Sequence, residues 1–262
     1  ALLSGVLLKV YLYVFIRTFW FVLDFSILQE VGIDKFIIYL TLFSSLLGHI
    51  FALQADDIKR MLAFSTIGHI GMITAVLSLN TSTGFYGGLL HIISHLLMKS
   101  TLFLGVGYLL HYTKSHNIED FDGIGYQNTK IFIGFIIAAL GMVGIPPLIG
   151  FFSKWFILLA FLEKTNYFGA ILVILGSLTA VIYYLRYIAH GYKLIKPGKK
   201  VEVTTPLMEK FYRERAVNII VYTFTSMILF AGVFYKMFDL PITAAIDFIL
   251  NTEKYIKLVL GG

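Results

Sequence analysis

The sequence contains no cysteine. That excludes disulfides, thiolate metal sites, iron–sulfur clusters held by this chain and cysteine catalysis. Charge is scarce too: 14% of the 262 residues are charged, where a soluble domain carries about 25%. No basic segment precedes the first apolar run, which begins almost at once, so the start does not read as a signal peptide. It reads as a chain entered within a larger protein, or as a split or processed subunit. Phosphate-binding glycine loops, His-Glu-x-x-His and nucleophile–base arrangements are missing as well, which leaves little support for a membrane enzyme with its own catalytic centre. No carboxylate lies inside any of the apolar spans described below.

What is present is hydrophobic: 58% of residues, with a mean hydropathy of +0.83. This predicts an all-α, polytopic integral membrane protein, with room for about seven spans of some 20 residues each. The net charge of +6 and pI near 9.3 could suggest nucleic acid. The basic residues, however, fall mostly in loops between apolar runs, so membrane topology explains them and no nucleic-acid partner is expected.

Taken in order, the predicted spans are 2–23, 36–53, 61–79, 85–112, 131–162, 167–190 and 217–238. The stretch between the first two, 24–35, reads as a short loop, and 54–60 as a tight polar turn. The fifth span is unusual. Its first part, 131–145, is about 22 Å long as a helix, too short for about 30 Å of hydrocarbon. Gly144, Pro146, Pro147 and Gly150 follow, then a second apolar piece, 151–162. Proline lacks the N–H and clashes with the preceding turn, so the helix must break; a break at membrane depth needs protein or a wet cavity around it. The segment 191–215 reads as a basic loop, and 239–262 as a tail with an apolar period that suits a helix on the membrane surface. Loops after spans two, four and six carry eleven Lys or Arg, and those after spans one, three and five carry two, Lys35 and Lys164. The even-numbered loops and the N-terminus are therefore expected on the cytoplasmic side, with the C-terminus outside.

The fourth span holds His91, His95 and Lys99 at i, i+4 and i+8. At 3.6 residues per turn they share one face over about 12 Å of helix. A charge at the centre of a membrane helix costs roughly 2.5–3.5 kcal/mol, so the default reading of this stripe is an ion or proton pathway. A buried lysine can give and take a proton near neutral pH, and an imidazole can accept on one nitrogen while donating from the other. Lys9, Tyr13 and Arg17 repeat the spacing in the first span, and Lys154 follows the proline break. The plainer readings are snorkelling or helix capping for the lysines, interhelical hydrogen bonding for the histidines, packing for His49, His69 and Tyr13, and a solvated turn for Asp57, Lys59 and Arg60. Histidines at i and i+4 can chelate a metal, but no carboxylate or cysteine accompanies them.

Four motifs carry a resemblance: Leu-Leu-Ser-Gly-Val-Leu-Leu-Lys ending at Lys9, the 52–71 stretch Ala-Leu-Gln-Ala-Asp-Asp-Ile-Lys-Arg-Met-Leu-Ala-Phe-Ser-Thr-Ile-Gly-His-Ile-Gly, His91-x3-His95-x3-Lys99, and Gly-Ile-Pro-Pro-Leu-Ile-Gly-Phe-Phe-Ser-Lys ending at Lys154. In this order and at these distances the chain resembles the antiporter-like membrane subunits of respiratory complex I, Mrp-type sodium/proton antiporters and membrane-bound hydrogenases. The resemblance implies a proton pathway through Lys9, His91, His95, Lys99 and Lys154; His69, Asp57, Lys59 and Tyr13 are further candidates to support it. It implies that 1–23 is the last helix of a first inverted five-helix repeat, 36–190 the second repeat, 191–215 a cytoplasmic loop and 217–238 the final membrane helix. The glutamate–lysine pair of the family's first half-channel has no counterpart in these residues; a companion chain or an upstream segment would supply it. Other membrane subunits are the expected partners, in the cell membrane of a prokaryote, with no cofactor in this chain and iron–sulfur or other redox centres on partner subunits. A standalone sodium/proton antiporter subunit and a structural subunit with an incomplete pathway are the alternatives. Sodium prefers oxygen ligands, so the lack of carboxylates in the spans favours protons.

Overall fold

The computed structural model describes residues 6–113, 115–193 and 207–251. It is a helical bundle, and among the described residues its strand-like pairing is one isolated bridge between Asp57 and Asn117. In chain order the helices are α1 (Leu8–Ile16), α2 (Phe25–Val31), α3 (Ile33–Gln54), α4 (Ile58–Leu77), α5 (Ser82–Thr113), α6 (Ile124–Gln127), α7 (Thr129–Val143), α8 (Ile149–Glu163), α9 (Tyr167–Tyr192), α10 (Leu207–Val233) and α11 (Asp239–Leu250). A π-helical stretch, Arg17–Val22, extends α1. Five helices are long and apolar enough to cross a membrane, and α1 with its extension and α2 makes a sixth candidate, bent by 81°.

The expected break of the fifth span is present. The α7 helix stops at Gly144, which takes φ +94°, a left-handed conformation glycine adopts without a Cβ penalty. Gly144 and Ile145 then return their N–H groups to Leu140 O. The halves stay in close register because Gly150 of α8 lies against the Gly141 carbonyl, where a Cβ would overlap it. Small residues serve α3 and α4 likewise. A Cβ on Gly48 would meet the Gly68 backbone nitrogen, and one on Gly71 would meet Thr41 O. In lipid, where apolar attraction between helices is weak, such close backbone approach is the main source of helix association.

Two expectations are corrected. The stretch 24–35 is largely helical rather than a loop. Asp24 caps α2 by accepting from the Ser26 N–H at 3.1 Å, and Gly32 at φ +78° ends it. The segment 191–215 is helical at both ends rather than a loop throughout: α9 runs through Tyr192 and α10 already starts at Leu207, while residues 194–206 lie outside the described set. The first turns of α10 are rich in good helix formers but too polar to count as membrane span, so hydropathy placed the start late. In the tail, α11 turns Ile242, Ile246 and Ile249 inward against Trp20, Phe85 and Leu90, so its apolar stripe covers protein. Residues 252–262 lie outside the described set.

The loops sort onto two ends. At one end Ile118 N–H reaches Asp56 O at 2.9 Å, Arg186 Nη2 pairs with Asp56 at 2.5 Å, and Asp122 receives His190 at 2.5 Å and Lys193 at 3.3 Å. These joints tie together the loops after α3 and α5 and the C-terminal end of α9, the ends that carry most of the basic residues. At the opposite end Trp20 Nε1 donates to Asn80 at 2.9 Å, Thr83 Oγ1 donates to Glu163 at 2.9 Å, and the Tyr86 hydroxyl donates to Asp239.

Candidate functional site

The interior of the bundle is polar where α3, α4, α5 and α8 meet. The predicted stripe on α5 faces inward along its full length: His91, His95 and Lys99 are 0% exposed, as is His69 on α4. Lys9, half-buried on α1, brings its Nζ within 2.8 Å of His95 Nδ1. A contact between residues 86 apart thus joins the first span to the stripe. From there the imidazoles crowd together. The His69 ring centroid lies 5.6 Å from His95 and 5.2 Å from His91, and His69 Nδ1 is 3.1 Å from His91 Nε2. The other nitrogen of His91, Nδ1, is 2.8 Å from Ser153 Oγ on α8. The string runs Lys9, His95, His69, His91, Ser153 and crosses four helices. His69 Nε2 and His95 Nε2 have no hydrogen-bond partner among the described residues.

The two other lysines flank this string. Lys99 Nζ donates to Leu62 O at 2.9 Å and to the Ser65 hydroxyl. Lys154 sits on the second turn of α8. Its stem reaches back over the break, and Nζ donates to Met142 O at 2.7 Å, Val143 O at 3.1 Å and Ser177 Oγ at 2.9 Å. The Lys154 amine therefore closes the C-terminal end of α7, where the helix dipole is negative. No carboxylate pairs with Lys99 or Lys154 among the described residues.

Three residues expected to support the pathway stand apart from it. Tyr13 is 61% exposed on the outer side of α1 and neither packs inward nor joins the row, because it lies off the face that carries the buried Leu12 and Ile16. Asp57 is the N-cap of α4, accepting from the Lys59 and Arg60 N–H groups at 2.7 and 3.0 Å. A carboxylate held this way satisfies helix donors and the helix dipole. Lys59 is exposed in the first turn of that helix. His69, by contrast, lies in the middle of the string.

The structure also adds residues that spacing did not reveal. His49 on α3 packs edge-on against His69, with centroids 5.2 Å apart and planes at 76°. Ser65, Ser153 and Ser177 supply the hydroxyls around the amines and imidazoles. None shares a helix periodicity with the stripe on α5; each arrives from a different helix, so the signal is tertiary.

Residues 1–181 match a family described as NADH:quinone oxidoreductase/Mrp antiporter, TM. NADH-quinone oxidoreductase subunit N of Desulforudis audaxviator is 32% identical over 213 residues, covering 79% of this chain and 41% of that protein. Subunit M of the same enzyme from Rickettsia typhi is 29% identical over 218 residues, covering 83% of this chain and 42% of that protein. A chain in the structure of the membrane-bound sulfane sulfur reductase, an archaeal respiratory membrane complex, superposes with a TM-score of 0.84 at 27% identity, covering 97% of this chain and 50% of that one. A chain of the Mrp complex from Dietzia sp. DQ12-45-1b shares the fold, with a TM-score of 0.85 at 17% identity over 98% of this chain and 54% of that one. The chain spans less than half the length of the two curated relatives, 41% and 42%. The apolar helices, the broken span, the inward-facing His and Lys residues and these matches agree: this is an all-α, multi-pass membrane protein that belongs to the NADH:quinone oxidoreductase/Mrp antiporter family.

Proposed function

We propose that this chain carries protons across a membrane, as the antiporter-like subunit of a redox-driven energy-converting complex. The observation that carries the reading is the string from Lys9 through His95, His69 and His91 to Ser153, with contacts of 2.8, 3.1 and 2.8 Å at three of its joints. Every group in it can both take and release a proton or pass one by reorienting. The one wide joint, between His95 and His69, carries two inward nitrogens that need partners, Nε2 of each ring. Water in that joint completes the row. Protons rather than sodium are the transported ion, because the row offers nitrogen and hydroxyl groups and no carboxylate. Lys99 and Lys154 act from the sides: moving a proton on or off either amine changes the field along the row and so the affinity of the next site.

In this reading α1 with its extension, α3, α4, α5, α7 with α8 as one broken span, α9 and α10 are seven membrane crossings. The end that carries the Asp122 and Asp56 joints faces the cytoplasm of a prokaryote, and α11 lies at the other face. The α3–α9 body with its broken span is the repeat, and α1 belongs to a preceding one. The remaining half of a complete pathway, together with the redox centres, belongs to other chains or to residues outside these 262. The NADH-quinone oxidoreductase subunits and the archaeal respiratory complex among the similar proteins support coupling to electron transfer.

The test is Lys99→Ala in the intact complex, reconstituted in vesicles, with proton uptake read by a quenched pH-sensitive dye. Uptake is expected to disappear while the complex still assembles. Uptake at the unaltered level would overturn the reading.

A further inference from the structure

We propose that His49 is a proton-carrying member of the pathway, linking the histidine cluster to Lys154 at the helix break. The inference rests on the proton-transfer reading above and deepens it.

His49 is 3% exposed and belongs to no motif. Its ring lies in a slot between two other helices. Gly68 of α4 is on one side and Gly176 of α9 on the other; a Cβ there would come within 2.8 and 3.0 Å of the imidazole. Both helices leave out a side chain where the ring lies. On the α4 side its neighbour is His69, edge-on at 5.2 Å. On the α9 side, the residue after Gly176 is Ser177, whose hydroxyl accepts from Lys154 Nζ at 2.9 Å. Two turns further on, the fully buried Tyr183 places its hydroxyl 3.4 Å from His49 Nδ1. His49 thus stands between the centre of the row and the turn of α9 that holds Lys154.

Ser153 does not make this link, although it precedes Lys154 in sequence. Consecutive helix residues point in different directions: Ser153 turns to His91, and Lys154 turns to the carbonyls of α7 and to α9. A residue needed only to fill an apolar span would be apolar; an imidazole set edge-on to a second imidazole and stacked on a phenol is suited to passing protons. The step balances without a co-reactant. The ring binds a proton on one nitrogen and loses one from the other, so it ends as the opposite tautomer with no change in charge, and rotation of the ring within the slot resets it.

The experiment uses the intact complex in vesicles with three variants. His49→Gln keeps a polar side chain of similar reach that cannot be protonated, Tyr183→Phe keeps the ring packed, and Lys99→Ala tests the underlying reading. In His49→Gln, uptake per electron is expected to fall about a hundredfold or more, the range a positioned proton-transfer group contributes, at an unaltered yield of complex. Its residual rate is expected to have a pH profile unlike that of the unaltered protein. Normal uptake in His49→Gln beside lost uptake in Lys99→Ala overturns the role of His49 and leaves the reading standing. Normal uptake in both overturns the reading itself. If His49→Gln fails to assemble, Tyr183→Phe decides: a several-fold loss supports the link, and unaltered uptake overturns it.

Discussion

Lysine and histidine occur in this molecule in two settings. At the basic end, His190 and Lys193 meet Asp122, and Arg186 meets Asp56. In the interior, Lys99, Lys154 and the histidines meet carbonyls, hydroxyls and one another. A carboxylate at contact distance binds its basic partner directly, and the pair becomes a joint between loops. A carbonyl or hydroxyl solvates an amine without pinning its proton. The same residue types therefore hold the helix ends in place at one end and, in the proposed pathway, carry protons in the middle, and the difference lies in what faces them.

The strongest way to break this contrast is to give the interior a carboxylate. Ser65→Asp would set an anion beside Lys99. A unit-charge pair at 4 Å is worth on the order of 4 kcal/mol at an effective dielectric constant of about 20, enough to slow proton release by about three powers of ten. Proton uptake in the reconstituted complex is expected to vanish with assembly intact; unaltered uptake would show that the missing carboxylate is irrelevant. Lys154→Met comes next. It strips the donor from Met142 O, Val143 O and Ser177, and each buried acceptor left without a partner costs about 1–3 kcal/mol. Both uptake and the thermal unfolding midpoint are expected to fall, making Lys154 the interior site where capping and transfer coincide.

The paired end should respond in the opposite way. Partial burial pushes the Asp122 carboxyl up, but hydrogen bonds from His190 and Lys193, with the Lys193 charge, outweigh it and hold the group below the ordinary carboxylate range. A carboxyl depressed in the folded state contributes stability above its unfolded value of about 3.9 and loses it as pH falls through the folded value. The gap in melting temperature between the unaltered protein and Asp122→Asn is therefore expected to be constant near neutrality and to close only below about pH 4. Uptake per electron should not change. A gap that instead opened in acid would reverse the sign of the argument. Asp57→Ala, the smallest effect, removes a helix cap worth about 1 kcal/mol; a slightly lower melting temperature with unaltered uptake would confirm that Asp57 is structural.

Much of this was legible in the chain itself. The broken span could be read from Pro146 and Pro147, because proline cannot continue the backbone bonding of a helix. The inward face of α5 could be read from His91, His95 and Lys99, since period and burial both act within one helix. The α2 helix was missed because it is only 7 residues long, too short to display a helical apolar period. The early start of α10 was missed because hydropathy marks where a helix meets lipid, and a helix can continue past that point.

Sequence alone determined that this is a helical membrane chain, where one apolar segment breaks, which loops gather basic charge and which lysines and histidines interrupt the apolar segments. These follow from local periodicity and from the cost of charge in hydrocarbon. Only the tertiary structure decided that Lys9 meets His95, that Lys154 closes α7, that Asp57 is a cap and Tyr13 is outside the row, and that His49 is inside the cluster. The reason is physical: a proton moves between groups brought within a few ångströms, and which groups are that close depends on how the small residues of neighbouring helices let their backbones approach.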